Sequence, residues 1–433
     1  MPALVASKRG SNDLPEPRRL PRFSEWLLVT MPSVLAFGGL VTLNAPNALP
    51  AVSVLDGGFV IATLLLLPRA SRRIYAPIFV LLFLFVLRMT MACLEFSTPF
   101  FDALQAHKWL LYLIESFVFL DVSMSSPRRI ALATKILVVL ALVKYSLVFL
   151  TQSAGRTGIL DENNFELALF CGLVALSYKH MGRARSLLVA ATGLVVVLSQ
   201  SRSGSVEFLI LLAYVVSVST WRGPLARYLS AIFVGTSVVI PLLIFGDRST
   251  GTVIDRVNFL NVFLSETSHW SPLNWLFGLP PITPLSSDAC FTLSYYQPLF
   301  STAGDGTCYS VVLHAYLLRI IIDAGLVGLI GSFGIMWWLM SRSSVPLALR
   351  LCLIAIAIAN SASVSGLNNL FVILPMVLAM VSSQSELTSS PGRSRFSTAS
   401  LSSPSQRIRG HPQVPYVSGL GEASSSEQVR RLT

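Results

Sequence analysis

The chain has 433 residues, of which 53% are hydrophobic and only 12% charged, about half the charged share of a soluble domain. Mean hydropathy is +0.67, and the apolar residues gather in blocks near 20 residues long. This is the pattern of a polytopic membrane protein, and it excludes a soluble enzyme built around one core. The net charge of +11 is spread between the apolar blocks, so nucleic acid is not an expected partner. Five cysteines with no Cys-x-x-Cys spacing speak against a structural zinc site.

In chain order the blocks fall at 25–44, 50–68, 75–96, 104–121, 130–151, 163–180, 186–200, 204–220, 227–246, 314–340, 347–364 and 368–384. Each is measured against the roughly 20 residues needed to cross about 30 Å of hydrocarbon, and 186–200 is the marginal one. The predicted fold is an all-α polytopic membrane protein of about twelve transmembrane helices with one large external loop. No short apolar stretch with a small-residue cleavage site opens the chain, so the first block is expected as a retained helix. No internal repeat supports an inverted-repeat transporter.

Lysine and arginine orient these helices. The N-terminal segment, alternate loops and the C-terminal tail together hold 23 of the 32 lysines and arginines. The opposite loops hold Arg156, Arg202, Arg248 and Arg256. Both termini are therefore expected in the cytoplasm. The organisation reads as a cytoplasmic segment at 1–24, transmembrane helices 1–9 at 25–246 and a large external loop at 247–313. Transmembrane helices 10–12 follow at 314–384, then a serine-rich disordered cytoplasmic tail at 385–433. At its length the loop is expected to be a partly helical functional element.

The external cations stand out because orientation statistics disfavour them. Arg156 lies just before Asp161-Glu162-Asn163-Asn164, and Arg202 lies in the tight turn Ser199-Gln200-Ser201-Arg202-Ser203-Gly204. Guanidinium groups bind phosphate bidentately and stay charged, so Arg156, Arg202 and Arg256 together make a candidate site for an anionic head group. The alternative is a set of snorkelling or loop-capping arginines. Elimination leaves His107, His269 and His314 as external histidines, because His180 and His411 are placed in the cytoplasm. His314 opens the long apolar block that ends near Trp337-Trp338. An imidazole there is a candidate general base.

Arg319 and Asp323 are four apart and share a helix face. They read either as a buried ion pair or as an arginine reaching toward the external site. Arg88, Lys135, Lys144, Glu115, Glu166 and Glu207 lie in or near spans on separate helices, as structural pairs or as a proton path. Cys290 and Cys308, both in the external loop, are expected to form a disulfide. Closing that loop contributes about 3 kcal/mol in the chain-entropy model. There is no external Asp-x-Asp, His-Glu-x-x-His, Walker or Gly-x-Ser-x-Gly motif, which disfavours zinc hydrolases, ATP-driven pumps and α/β-hydrolases.

The order of short motifs carries a resemblance. Ser201-Arg202-Ser203-Gly204 lies between two spans, and a large loop with Arg256, Trp270 and Leu276-Phe277-Gly278 follows. Then His314-Ala315-Tyr316-Leu317 runs into Asp323-Ala324-Gly325-Leu326-Val327-Gly328. From about Arg156 to Gly331 the chain resembles the superfamily of Wzy-type polysaccharide polymerases and O-antigen ligases, and the whole chain looks most like xanthan-type exopolysaccharide polymerases. The resemblance implies a bacterial inner-membrane enzyme with its active site at the periplasmic face. Its substrate would be an oligosaccharide linked to undecaprenyl diphosphate, its product an exopolysaccharide. It implies no metal and no cofactor, and it implies chain-length regulators or export proteins as partners. It assigns catalysis to His314 and diphosphate contact to Arg156, Arg202, Arg256 and Arg319. An O-antigen ligase is the nearest alternative. A lipid-linked-oligosaccharide flippase or other transporter, and a non-catalytic assembly protein, are alternatives of different classes.

Overall fold

The computed structural model describes residues 18–43, 47–124, 126–151, 158–219 and 255–389. Among the described residues the regular structure is helical apart from one pair of two-residue strands, β1 (Arg18–Arg19) and β2 (Val122–Ser123), which run parallel, and one isolated antiparallel bridge between Pro284 and Tyr309. Each apolar block is occupied by a helix, except 227–246, which lies outside the described residues. In order these are α1 (Arg22–Leu40), α2 (Ala51–Arg69), α3 (Arg72–Glu95), α4 (Phe100–Val118), α5 (Pro127–Leu150), α6 (Asn163–Ser177), α7 (Arg185–Ser199) and α8 (Arg202–Val218). Three shorter or looser helices follow in the loop: α9 (Asp255–Thr267), α10 (Pro272–Phe277) and α11 (Ser287–Thr292). The chain then builds α12 (Tyr316–Arg342), α13 (Leu347–Ser361) and α14 (Leu370–Ser389).

Six of the described helices are long and apolar enough to cross a bilayer: α1, α2, α3, α5, α12, and α7 with the turn before it (Gly182–Ser199). The 186–200 block thus meets the length requirement once that preceding turn is included. Others fall short for visible reasons. Helix α4 has the length but carries Asp102, Lys108 and Glu115. Helices α6 and α13 have 15 residues each, about 22 Å of rise against about 30 Å of hydrocarbon. Helix α3 turns Phe79, Val80, Phe83 and Val86 outward, the side-chain chemistry expected against lipid.

One end of the bundle is tied by charged groups. Arg18 donates to the carbonyls of Arg69 and Leu120, and Arg129 meets Glu25 at 3.0 Å. Arg350 and Arg342 lie over the rings of Trp337 and Trp338. Arg18, Arg129, Arg342 and Arg350 are four of the arginines that the orientation argument assigns to one side.

Helix α12 is interrupted. Gly325 has φ 66° and ψ −169°, a conformation essentially reserved for glycine. The break releases carbonyls that an unbroken helix would use. The Ile322 carbonyl accepts from Leu279 N at 2.7 Å, and the Asp323 carbonyl accepts from the Arg88 guanidinium of α3. The loop segment Leu276-Phe277-Gly278 therefore lies backbone against backbone on Asp323-Ala324-Gly325. A Cβ on Gly278 would stand 2.6 Å from Ala324 N, and one on Gly325 would stand 2.3 Å from the Leu276 carbonyl oxygen.

The loop has a core of its own. Phe259, Phe263, Leu285, Leu293, Phe300 and Leu313 pack together with Ile322 of α12. Cys290 and Cys308 are joined by a disulfide, with Cα atoms 5.8 Å apart. Asp102, at the start of α4, accepts from Ser301 Oγ at 2.9 Å and from Thr302 N at 3.0 Å, which fastens the far side of the loop to the bundle.

This seam makes a sharp prediction. Gly325→Ala forces the loop off the helix and costs about 2–3 kcal/mol of stability. Gly331→Ala on the same helix meets nothing within 4 Å and leaves stability unchanged or improved. Thermal unfolding midpoints of the detergent-solubilised protein measure the difference; equal midpoints would contradict the seam.

Candidate functional site

The end of α12 away from Trp337 and Trp338 gathers the motif residues. His314 does not open the helix, as the sequence suggests. The helix begins at Tyr316, and Leu313 and Ala315 are extended. The cause is upstream: Ser310–Val312 forms a short 3-10 turn, and Tyr316 N is drawn to the Val364 carbonyl at 2.9 Å. His314 is half-buried, with its ring 6.2 Å from Phe259 and 6.1 Å from Tyr296. Lying outside the helix, it is released from the roughly 140° offset to Arg319 that ideal helical geometry imposes.

Arg319 sits on the first turns of α12. Its backbone N bonds to the Ala315 carbonyl, and its guanidinium lies over the Tyr316 ring at 5.8 Å. The side chain is 4% exposed, yet Nη2 has no hydrogen-bond partner among the described residues. Asp323 lies one turn on, but its Oδ1 accepts from Ser310 Oγ at 2.7 Å. No ion pair joins Arg319 and Asp323 among the described residues. The two charges still act on each other across one helical turn, but they are not in ion-pair contact, and the buried guanidinium is left with an open donor.

Arg202 is the first residue of α8 and half-buried. The turn before it is built for sharp reversal. Gln200 adopts a left-handed conformation, φ 52°, and Ser201 caps α8 by accepting from Gly204 N at 3.1 Å. Gly204 is needed for packing, since a Cβ there would stand 2.2 Å from the Leu167 side chain. Ser201 Oγ also donates to Asn164 Oδ1 at 2.7 Å, and Asn163 Nδ2 donates to the Ser199 carbonyl at 2.8 Å. The Asp-Glu-Asn-Asn segment and the Ser-Arg-x-Gly turn are therefore one unit.

Asn360, at the end of α13, joins this unit to the His314 segment. Its Nδ2 donates to the Asn164 carbonyl at 3.1 Å and to Glu207 Oε1 at 2.9 Å. Its Oδ1 accepts from Gly366 N at 3.2 Å. Its carbonyl accepts from Val364 N at 2.8 Å, and the Val364 carbonyl holds Tyr316. One continuous path of hydrogen bonds thus runs from the Arg202 turn to the residues flanking His314.

Glu166 holds the neighbouring loop. Its carboxylate accepts from Ile159 N, Leu160 N and Asp161 N and from the Tyr145 hydroxyl at 2.8 Å. Burial raises the Asp161 carboxyl above its ordinary range. Arg156, just upstream, lies outside the described residues, as does Arg248. Arg256 occupies the second position of α9, one turn before Phe259.

The structure also finds partners for ionisable residues that the sequence left unpaired. Arg88 Nε donates to His107 Nε2 at 2.9 Å, and His107 Nδ1 donates to the Ala103 carbonyl at 2.8 Å, which fixes the imidazole as the neutral Nδ1–H tautomer. Lys144 is fully buried, and its ammonium caps the carbonyls of Gly39 and Thr42. These contacts satisfy the buried groups structurally. Sequence reasoning missed Asn164, Ser201 and Asn360, whose signal was a run of polar residues at the ends of apolar blocks. Among the described residues no cluster of metal-ligating side chains occurs.

Asn360→Ala removes three interactions at once and leaves the buried Glu207 carboxyl without its donor. The expected cost is about 2–3 kcal/mol, read as a lowered unfolding midpoint; Ser268→Ala, an exposed serine whose hydroxyl bonds only the Ser265 carbonyl, is the control. An unchanged midpoint in Asn360→Ala would mean that the path is not a structural tie.

No protein-family model matches this chain, and no curated protein matches it.

Proposed function

We propose that the protein is a metal-independent membrane glycosyltransferase, a Wzy-type polymerase that joins oligosaccharide repeat units carried on undecaprenyl diphosphate. In this reading the chain crosses the inner membrane twelve times with both termini in the cytoplasm. The loop at 247–313 then lies in the periplasm. The observation that carries the reading is Arg319: a buried guanidinium with an open donor, one turn from the His314 segment, calls for an oxyanion. The resemblance in motif order supplies the identity of that oxyanion.

The chemistry follows from the residues. The acceptor sugar hydroxyl attacks the anomeric carbon of the donor, and the bond from that carbon to the diphosphate oxygen breaks. His314 takes the hydroxyl proton, and undecaprenyl diphosphate leaves with the bonding electrons. Arg202 and Arg319, with Arg156 and Arg256, stabilise the negative charge that grows on the leaving diphosphate, the kind of electrostatic contribution that often dominates catalysis. Fixed guanidinium groups in a water-poor site do this without rearranging during the reaction. The apolar frame meanwhile keeps the lipid carrier in the bilayer.

A ligase would use the same chemistry with a lipid A core acceptor. The small number of external cations favours the polymerase, since a core rich in phosphate calls for more. Transport requires a polar path through the middle of the membrane, whereas His314 and Arg319 lie at one end of α12 and are linked through Asn360 to the Arg202 turn.

His314→Ala and Arg202→Ala are expected to lower polymer by at least about a hundredfold while both proteins reach the membrane at wild-type levels. Arg202→Lys restores only part, because lysine lacks the bidentate fork. Polymer yield in a deletion strain, normalised to membrane protein, decides it; normal polymer from both alanine variants would sink the reading.

A further inference from the structure

A row of aromatic rings leads away from His314, and nothing in the chemistry above uses it. Tyr296 lies 6.1 Å from the His314 ring and 5.3 Å from Phe259. Tyr295 stands edge-on to Tyr296 at 5.2 Å. Tyr295 is 86% exposed and Phe291 82% exposed, which is not the state of rings that pack a core.

These rings are held in place rather than trailing in solvent. Phe291 follows Cys290, whose disulfide to Cys308 closes the segment. Helix α11 is capped by Ser286, which accepts from Ala289 N at 3.2 Å. Ser286 is itself fastened to Glu266 of α9. Leu293, between the exposed rings, is anchored in the loop core. Rigid rings expose their faces at low entropic cost, as in binding sites built for stacked contact.

We infer that the exposed rings of Tyr295 and Phe291, with Tyr296 as the packed support that joins Tyr295 to the His314 ring, form a sugar-stacking subsite that holds the glycan next to His314. The C–H faces of a pyranose carry partial positive charge and suit the electron-rich face of an aromatic ring. The row starts at the ring of the proposed base, so a sugar stacked on it lies along the path of a chain entering or leaving that base. This inference rests on the glycosyltransferase reading for its ligand class, but it is a statement about carbohydrate binding that does not require turnover.

The test is a binding measurement on the full-length protein in detergent. The probe is the oligosaccharide released by mild acid from lipid-linked material of the producing cells, free of lipid and diphosphate. Wild type binds it saturably, and saturation-transfer NMR shows magnetisation passing from aromatic protons to sugar C–H protons. Tyr295→Ala and Phe291→Ala each weaken binding by about tenfold, as expected for the loss of one stacked ring. Tyr295→Phe keeps the ring and restores affinity to within about twofold. Retention of the Cys290–Cys308 bond, read by gel mobility, shows that the loop is still folded in each variant.

The result that would overturn the inference is no saturable binding to wild type, or equal affinity in wild type and Tyr295→Ala. Weakened association of Tyr295→Ala with protein-free lipid vesicles, at unchanged oligosaccharide affinity, would instead assign the rings to the bilayer surface and overturn it too. If wild type makes no polymer but the ring variants still lose oligosaccharide affinity, the subsite stands and the polymerase reading falls.

Discussion

A helix broken inside an apolar bundle has to find partners for the backbone groups it releases, because hydrocarbon offers none. Gly325 breaks α12, and the freed carbonyls are met by the loop backbone at Leu279 and by Arg88 of α3. That requirement seats the large loop on the bundle at a fixed register. Gly278 and Gly325 allow the approach because neither carries a Cβ to obstruct it. The loop core, the disulfide and the contact with Asp102 then follow as further points of attachment.

The same junction sets the neighbourhood of the candidate site. Asp323 places its carbonyl on Arg88 and its carboxylate on Ser310, four residues before His314. With Asp323 occupied in this way, Arg319 keeps an open, buried donor. On the other flank, Asn360 carries the link from α13 to Asn164 and so to the Arg202 turn. Residues far apart in the chain are thus brought to one end of the bundle by side chains whose hydrogen bonds are made to backbone as often as to one another. The network is only partly satisfied: Glu207 Oε2 and Asn163 Oδ1 are buried without a partner among the described residues, so its hold on the Arg202 turn rests on the bonds made through Asn360, Asn164 and Ser201.

Much of this was legible in the sequence, and for physical reasons. Apolar blocks near 20 residues follow from bilayer thickness, so the helices could be placed from composition alone. The Cys290–Cys308 pairing followed from two cysteines in one polar segment. What the sequence did not carry is what depends on contacts between distant residues. Arg88 and Asp323 are separated by 235 positions, and periodicity says nothing about such a pair. His314 reads as helical because apolar residues surround it, whereas the competing pull of the Val364 carbonyl on Tyr316 leaves it outside the helix, between the extended Leu313 and Ala315. Arg319 and Asp323 have ion-pair spacing, but Ser310 competes for the carboxylate. The interruption at Gly325 was visible only as a glycine in an otherwise apolar run, where several other glycines carry no break.

In the proposed reaction this chain by itself forms glycosidic bonds from a lipid diphosphate donor without a metal. The most direct measurement uses purified protein in detergent with undecaprenyl-diphosphate oligosaccharide as the only substrate, with and without chelator, and resolves the products on a gel. A ladder of integer repeats that survives chelation is the expected product. No ladder, with transfer appearing only when lipid A core is supplied, would contradict polymerisation and make the protein a ligase, and no transfer under either condition would contradict the enzymatic reading itself.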